Sequence, residues 1–365
     1  MRIGIDARLW NESGVGRYTR NLVQNLTILD KKNQYVLFLG GKEFESLSFP
    51  DNFKKVRADL HWHTLSEQLK FPTIINRENL DLMHFPYFSV PIFYNRAYVV
   101  TIHDLILHHF PTGQASTHSP MVYGAKLLFY RYIVNRAAQK SKKIITVSRA
   151  TKREIVEDLK TDENKIVVTY EGIEDDLKDN GDAPLYKDYF LYVGNAYPHK
   201  NLDRLLDAFD VFIKTNGKIS LVLVGKEDFF YKRLKQRVSD KGMDKRVKFF
   251  GEASNKDLAN LYSHALGLVM PSLMEGFGLP ALEAMANGCL ILASDIPSLK
   301  EICLDSAMYF NPHDTDSLTK SLKLALRAKK TKAKMIKKGL ARVQYFSWEK
   351  MAKETLKIYE SCIGL

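Results

Sequence analysis

Short apolar runs separated by longer amphipathic stretches recur along the whole of this 365-residue chain, and that alternation restricts it to one kind of architecture. Strands buried on both faces of a parallel sheet read as continuous apolar runs, and the crossovers between them need helix-length connections. The pattern therefore predicts stacked β-α-β units. In the first half the runs are residues 2–6, 35–40, 82–86, 98–104, 143–148 and 166–170; in the second they are 189–194, 220–225, 247–251, 267–272, 289–294 and 307–310. Two such sets make an α/β chain of two doubly wound, Rossmann-like sheets, and the length fits two cores better than one. Residues 171–188 (EGIEDDLKDNGDAPLYKD) are acidic and lack a periodic apolar face, so they read as an exposed connection. The expected domains are residues 1–175 and 189–347, joined by 176–188, with a terminal helix over 348–365 packing back on the first.

Composition narrows the class. With 45% hydrophobic and 26% charged residues the chain is a folded globular protein and not a disordered or fibrous one. Cys289, Cys303 and Cys362 lack the density of a disulfide scaffold and the spacing of a zinc site, which implies a reducing compartment. MRIGIDARLW enters a strand pattern without an apolar leader, so the expected location is cytoplasmic, with peripheral contact on the inner face of the cell membrane as an extension. A net charge of +12 favours an anionic partner. No nucleic-acid-binding motif is present, and the lysines of residues 320–339 fill the polar positions of a helical pattern.

Ligands of open α/β sheets bind beyond the carboxyl ends of the strands, so chemistry belongs in the loops there. In PSLMEGFGLPALEAMANG (271–288) a strand ends, Gly276 and Gly278 bring backbone close to a ligand, and a helix begins near Pro280 with its positive dipole end facing the loop. Glu275 and Glu283 flank that turn, where carboxylates accept hydrogen bonds from sugar hydroxyls; a plain helix cap is the alternative. In VGNAYPHKN the strand ends at Gly194, and Lys200 stands at the start of the next helix, where its charge opposes the dipole unless an anion lies nearby. NESGVGRYTRNL (11–22) holds Gly14 and Gly16 in what is either a tight turn or a ligand loop, and His103 with Asp104 ends the fourth strand. No third ligand follows them at metal-binding spacing.

Taken together, SGVGRY, the HD pair, TVSRAT, LYVGNAYPHKN and the two glutamates around GFGLP resemble glycosyltransferase family 4 over nearly the whole chain. That resemblance implies a GT-B fold, two Rossmann-like domains facing a central cleft, and a retaining, metal-independent hexosyltransferase using a nucleotide-diphosphate sugar. It places Glu275, Gly276, Phe277, Gly278 and Leu279 at the donor sugar and phosphates, and Glu283 at the ribose. Lys200 would neutralise the leaving diphosphate, His103 would stand beside the donor sugar, and Gly14 and Gly16 would line the site from the first domain. Gly194, Gly225, Lys226 and Ala253 would approach the nucleotide. Many relatives carry an arginine where this chain has Asn195, which removes one cation from the diphosphate clamp; Arg17 and Arg149 are candidates to replace it.

Neither a metal nor another cofactor is expected, because the one Asp-x-Asp, Asp314 to Asp316, precedes an amphipathic helix as an N-cap does. Expected partners are the nucleotide sugar and a glycan or lipid-linked acceptor of cell-surface polysaccharide synthesis. The stretch 121–143 mixes Phe129, Tyr130 and Tyr132 with Lys126, Arg131, Arg136 and Lys140, so it is either a core helix or a face for an anionic membrane. A nucleotide-sugar epimerase and a non-catalytic binding protein are the competing functions on such a scaffold.

Overall fold

The computed structural model describes residues 1–62, 64–111, 120–178 and 181–364; Asp179, Asn180 and Leu365, which fall in the expected connection and terminal helix, lie outside them. The described residues form two compact units, one from 1–108, 120–171 and 347–364, the other from 109–111 and 172–346.

The first unit holds β1 (Arg2–Asp6), β2 (Gln34–Leu39), β3 (Phe53–Arg57), β4 (Leu82–Phe85), β5 (Tyr98–Ile102), β6 (Lys143–Thr146) and β7 (Ile166–Val168). They form one parallel sheet in the order β3-β2-β1-β4-β5-β6-β7. Ile3 pairs with Tyr35 on one side and Leu82 on the other, so the strand order reverses at β1 and β4. The helix Trp348–Ile363 belongs to this unit and packs on helix Gly14–Leu29, β4 and β6. Burial there needs polar partners. Tyr359 hydroxyl lies 2.6 Å from His84 Nδ1, His84 Nε2 lies 2.8 Å from Thr101 Oγ1, and Thr101 donates to Tyr18 hydroxyl at 3.2 Å. Burial pushes the His84 imidazole down to about 3, so the neutral ring relays one hydrogen bond on each side.

The second unit holds β8 (Tyr189–Val193), β9 (Ser220–Val224), β10 (Val247–Gly251), β11 (Gly267–Met270), β12 (Ile291–Ser294) and β13 (Ala307–Phe310). Their order, β10-β9-β8-β11-β12-β13, is also parallel throughout and reverses at β8 and β11. Each sheet thus has one switch point, where the loops on either side turn to opposite faces and leave a crevice.

All twelve expected strands form, and β3 is added. Its sequence, FKKVR, carries three cations at the sheet edge, where charge is tolerated and discourages pairing with another chain. Residues 172–178 are part of the second unit and not a free connection: Leu177 is buried, its carbonyl accepts from Asn287 at 3.2 Å, and Asn255 donates to Glu174 and Asp176 at 2.8 and 3.0 Å. The lysine-rich stretch divides into helices Thr315–Arg327 and Lys329–Val343 at Ala328, whose ψ of 58° leaves the helical range.

Candidate active site

At the switch point of the second sheet, the loops after β8 and β11 bring Lys200 and Glu275 together although 75 residues separate them. Lys200 Nζ donates to Glu275 Oε1 and Oε2 at 2.7 and 2.9 Å, and Ser272 Oγ donates to Oε1 at 2.7 Å. Glu275 is 8% exposed. Burial alone would push its carboxyl up, but the Lys200 charge and the hydrogen bonds from Lys200 and Ser272 outweigh that and hold it below the usual carboxylate range. An ammonium has three N–H donors and this pair uses two, which leaves one for an incoming group.

Lys200 does not open a long helix. It closes a short turn, Pro198–Lys200, and Asn201 at φ 57° then starts helix Leu202–Ile213. Asn201 Nδ2 anchors the corner to the carbonyls of Pro271 and Pro312 at 3.0 and 2.9 Å. The anion that accommodates Lys200 in the folded chain is therefore the Glu275 carboxylate. Beside it, burial and then the Lys200 charge push the His199 imidazole down to about 4, so the ring is neutral near pH 7. It is 5% exposed, and its Nδ1 has no hydrogen-bond partner among the described residues.

The next helix is Leu279–Ala286, one residue earlier than Pro280. Gly278 precedes it at φ 101°, a conformation that favours glycine, and turns the chain so that the dipole's positive end meets the loop. Gly276 is buried in that loop and Leu279 is half-buried. The Phe277 ring packs edge-on against Phe346 at 5.7 Å between ring centroids, which holds that part of the loop to the unit's own core. Glu283 lies in the helix, 3% exposed, and its Oε2 accepts from Tyr262 hydroxyl at 2.8 Å.

The remaining loops of this unit are built on close backbone approach. Gly194 N donates to the Val224 carbonyl and Gly225 N to that of Gly251, both at 2.9 Å. A Cβ on Gly225 would stand 2.2 Å from the Gly194 carbonyl oxygen. Asn195 is exposed; its Oδ1 accepts from Tyr197 N at 3.3 Å and its carbonyl accepts from Tyr192 hydroxyl at 2.5 Å, so it serves the loop. Lys226 is exposed and Ala253 half-buried, each just past its strand. Asp314 caps its helix by accepting from Asp316 N at 2.9 Å.

In the first unit His103 follows β5. Its Nε2 lies 3.0 Å from the Pro86 carbonyl and its Nδ1 lies 3.5 Å from Glu171 Oε1, while Tyr18 meets the ring edge-on at 4.9 Å. Asp104 Oδ1 accepts from Ile106 N at 2.9 Å. The two glycines of SGVGRY differ. Gly16 is buried where a Cβ would meet the Trp10 carbonyl at 2.5 Å, whereas Gly14 is exposed with nothing near it. Arg17 and Arg149 belong to this unit.

Sequence reasoning missed Ser272, Tyr262, Tyr18 and Glu171. Ser272 had a signal, since it stands three residues before Glu275 in the same loop; the others meet their partners only through the fold.

The family profile described as Glycosyl transferases group 1 matches residues 174–342, and Glycosyltransferase Family 4 matches 13–177. The chain is 26% identical to an O-antigen chain mannosyltransferase B of Escherichia coli over 95% of its own length and 96% of that protein's. It is 29% identical to an O-antigen chain mannosyltransferase of Salmonella typhimurium, over 72% of this chain and 70% of that one. Among solved structures, Anabaena HepE in complex with UDP-glucose superposes with a TM-score of 0.76 at 17% identity, over 99% of this chain and 100% of that one, which shows the shared fold.

Proposed function

Because the chain belongs to the group 1, family 4 type of glycosyltransferases, we propose that it moves a hexose from a nucleotide-diphosphate sugar to a glycan or lipid-linked acceptor in cell-surface polysaccharide synthesis, with retention and without a metal. The observation that carries this reading is the Lys200–Glu275 pair at the switch point of the second sheet. Breaking a glycosidic bond to a diphosphate builds negative charge on the leaving oxygens, and a fixed cation beside a helix N-terminus is preorganised for it. Glu275 fixes the ammonium and presents carboxylate oxygens to sugar hydroxyls; Glu283 does the same for the ribose. His103 takes the donor sugar's side, and the leaving phosphate accepts the acceptor's proton on the same face. Support for a hexose and for O-antigen-like products comes from the two mannosyltransferases, and for a nucleotide-sugar donor from the UDP-glucose complex of HepE. Asp314 Oδ1 serves as a helix cap, the role the metal-free reading gives to this Asp-x-Asp.

A panel of nucleotide sugars assayed for nucleotide release, with and without EDTA, tests this. Turnover of at least one donor that survives the chelator, and a product of unchanged anomeric configuration by NMR, are expected. Turnover lost in EDTA and restored by magnesium removes the metal-free claim, inversion removes retention, and an inert chain favours the binding-protein reading.

Helix Pro120–Lys140 bears on the acceptor. Tyr130 and Val134 are core residues, but Leu128 and Tyr132 are 68% and 57% exposed beside exposed Lys126, Arg131 and Lys140. Arg136 ties the helix to the Ile92 carbonyl at 3.0 Å, which brings the 55% exposed Phe93 alongside. Among the described residues no helix is long and apolar enough to cross a membrane. This aromatic and basic face suits the interface of an anionic bilayer, where a lipid-linked acceptor would be met. Sedimentation with vesicles containing anionic lipid is expected to capture the chain and to fall several-fold for Leu128→Ser with Tyr132→Ser; equal capture by neutral vesicles would remove the preference for an anionic surface, and no capture by either would remove the membrane contact.

A further inference from the structure

Between Ser317 and Trp348 the chain carries ten lysines and arginines and no aspartate or glutamate, and seven of those cations lie in helix Lys329–Val343. The fold divides them. On the packed side Lys332 Nζ donates to the Leu266 carbonyl at 2.8 Å, Arg342 donates to the Ile302 and Glu301 carbonyls at 3.0 Å, and Lys338 pairs with Asp305. Gly339 is buried there against Met285, so this side meets helix Leu279–Ala286. The other side has no such partners. Lys330, Lys334 and Lys337 are exposed, and their ammonium groups have neither an ion pair nor a hydrogen bond among the described residues. Spacings of four and three residues put them in one row, where like charges repel and weaken the helix. Lys329 and Lys330 also stand in the first turn, against the positive end of the dipole, and Ala328 before them provides no side-chain cap. An anionic surface outside the chain relieves both. Leu340, three residues past Lys337, continues the row at 44% exposed, and Tyr345 just beyond the helix is 64% exposed. Helix Thr315–Arg327 repeats the arrangement, with exposed Lys320 and Arg327 on either side of a 51% exposed Leu324.

We propose that this basic face of the second unit docks on an anionic lipid bilayer. Lysines without counter-ions are drawn to a surface of lipid phosphates, and clusters of this size on one helix are the usual means of such attachment. From Lys330 to Leu340 the row runs about 15 Å along the helix, so its members reach a flat surface together. A row of cations alone would suit any polyanion. Leu340 and Tyr345 decide between them, because the headgroup region takes up exposed leucine and tyrosine side chains, whereas a nucleic acid backbone gives them nothing to bury against. The Arg342 guanidinium lies over the Tyr345 ring at 5.3 Å and holds it beside the helix. The contact uses elements of the second unit alone, and rests neither on the aromatic helix of the first unit nor on the glycosyltransferase reading.

Co-sedimentation of the full chain with phosphatidylcholine vesicles, with and without phosphatidylglycerol, tests it. The chain carrying Leu128→Ser and Tyr132→Ser is the background, so that capture through the first unit does not mask the result. In that background, capture by the phosphatidylglycerol vesicles is expected to persist and to be released by raised salt. It is expected to fall at least about tenfold for Lys330→Glu with Lys334→Glu and Lys337→Glu, and several-fold for Leu340→Ser with Tyr345→Ser. Lys→Gln at the same three positions gives a smaller fall without new charges, and Tm holds in both lysine variants because the replaced groups have no partners to lose. Undiminished capture in both lysine variants overturns the proposal, as does capture no better with phosphatidylglycerol than without it. Full capture of the Leu340 and Tyr345 variant, or retention of an oligonucleotide through the three lysines with no capture by vesicles, gives the face to a soluble polyanion and overturns the bilayer.

Discussion

Replacing Lys200 with alanine is expected to lower kcat by about 10²- to 10³-fold, the usual result of removing one preorganised group from a developing negative charge. The same change strands a buried carboxylate, because Glu275 keeps only the Ser272 hydrogen bond of the three that Lys200 and Ser272 supply. Breaking a buried pair from one side costs roughly 3–5 kcal/mol of stability. The two effects separate in Lys200→Ala combined with Glu275→Gln, which removes the stranded charge: Tm recovers while turnover stays low. The pH dependence reverses as well. In the native chain the Glu275 carboxyl sits below its ordinary value of 4.5, so its contribution is present above that pH and is lost on acidification. Without Lys200, burial is opposed by little more than the Ser272 hydrogen bond and raises the carboxyl, so this site's contribution rises as pH falls toward 4.5. Turnover of Lys200→Ala within threefold of the native rate would show that another group balances the diphosphate.

Gly225→Ala is expected to cost about 3 kcal/mol or more, because the obstruction is backbone. The new Cβ would lie 2.2 Å from the Gly194 carbonyl oxygen and 2.5 Å from the Tyr231 hydroxyl, and those two atoms are hydrogen-bonded at 2.8 Å, so neither can retreat without losing the other. In a unit of this size the corresponding fall in Tm is about 6–12 °C. Gly217→Ala provides the control: its nearest neighbour is at an ordinary 3.5 Å, and a change within about 0.5 kcal/mol is expected. Because Gly194 opens the loop that carries Lys200, donor affinity should weaken with Gly225→Ala and hold with Gly217→Ala. Equal Tm values for the two variants would show that the loop yields easily.

The strands were legible because central parallel strands must be apolar on both faces, as in SLVLV and ILAS. β3 escaped for the opposite reason: an edge strand covered on one side only can be FKKVR. The donor loops were visible as motifs, but a motif does not reveal what a side chain touches. Lys200 read as a cation awaiting an anion, and the fold shows that Glu275 already supplies one; Phe277 read as part of a ligand loop, and the fold adds that its ring also packs against Phe346. The Asp6–Arg8–Glu67 cluster left no local trace, since Glu67 reaches Arg8 from 59 residues away.

The helix Trp348–Ile363 completes the first unit from the far end of the chain, and this fixes when that unit can finish folding. As the protein is made, residues 1–171 emerge with the apolar flank of helix Gly14–Leu29 uncovered and with His84 lacking Tyr359. The ribosome must still add the 192 residues from Gly172 to Ile363, which takes roughly 10–40 s at ordinary elongation rates. Through that interval the second unit, whose main body runs without a break from Gly172 to Phe346, can close first, so the part of the chain synthesised earliest is the last to become native. A chain that stops short of residue 347 would release a finished second unit tethered to an unfinished first one, a ready substrate for chaperones and proteases.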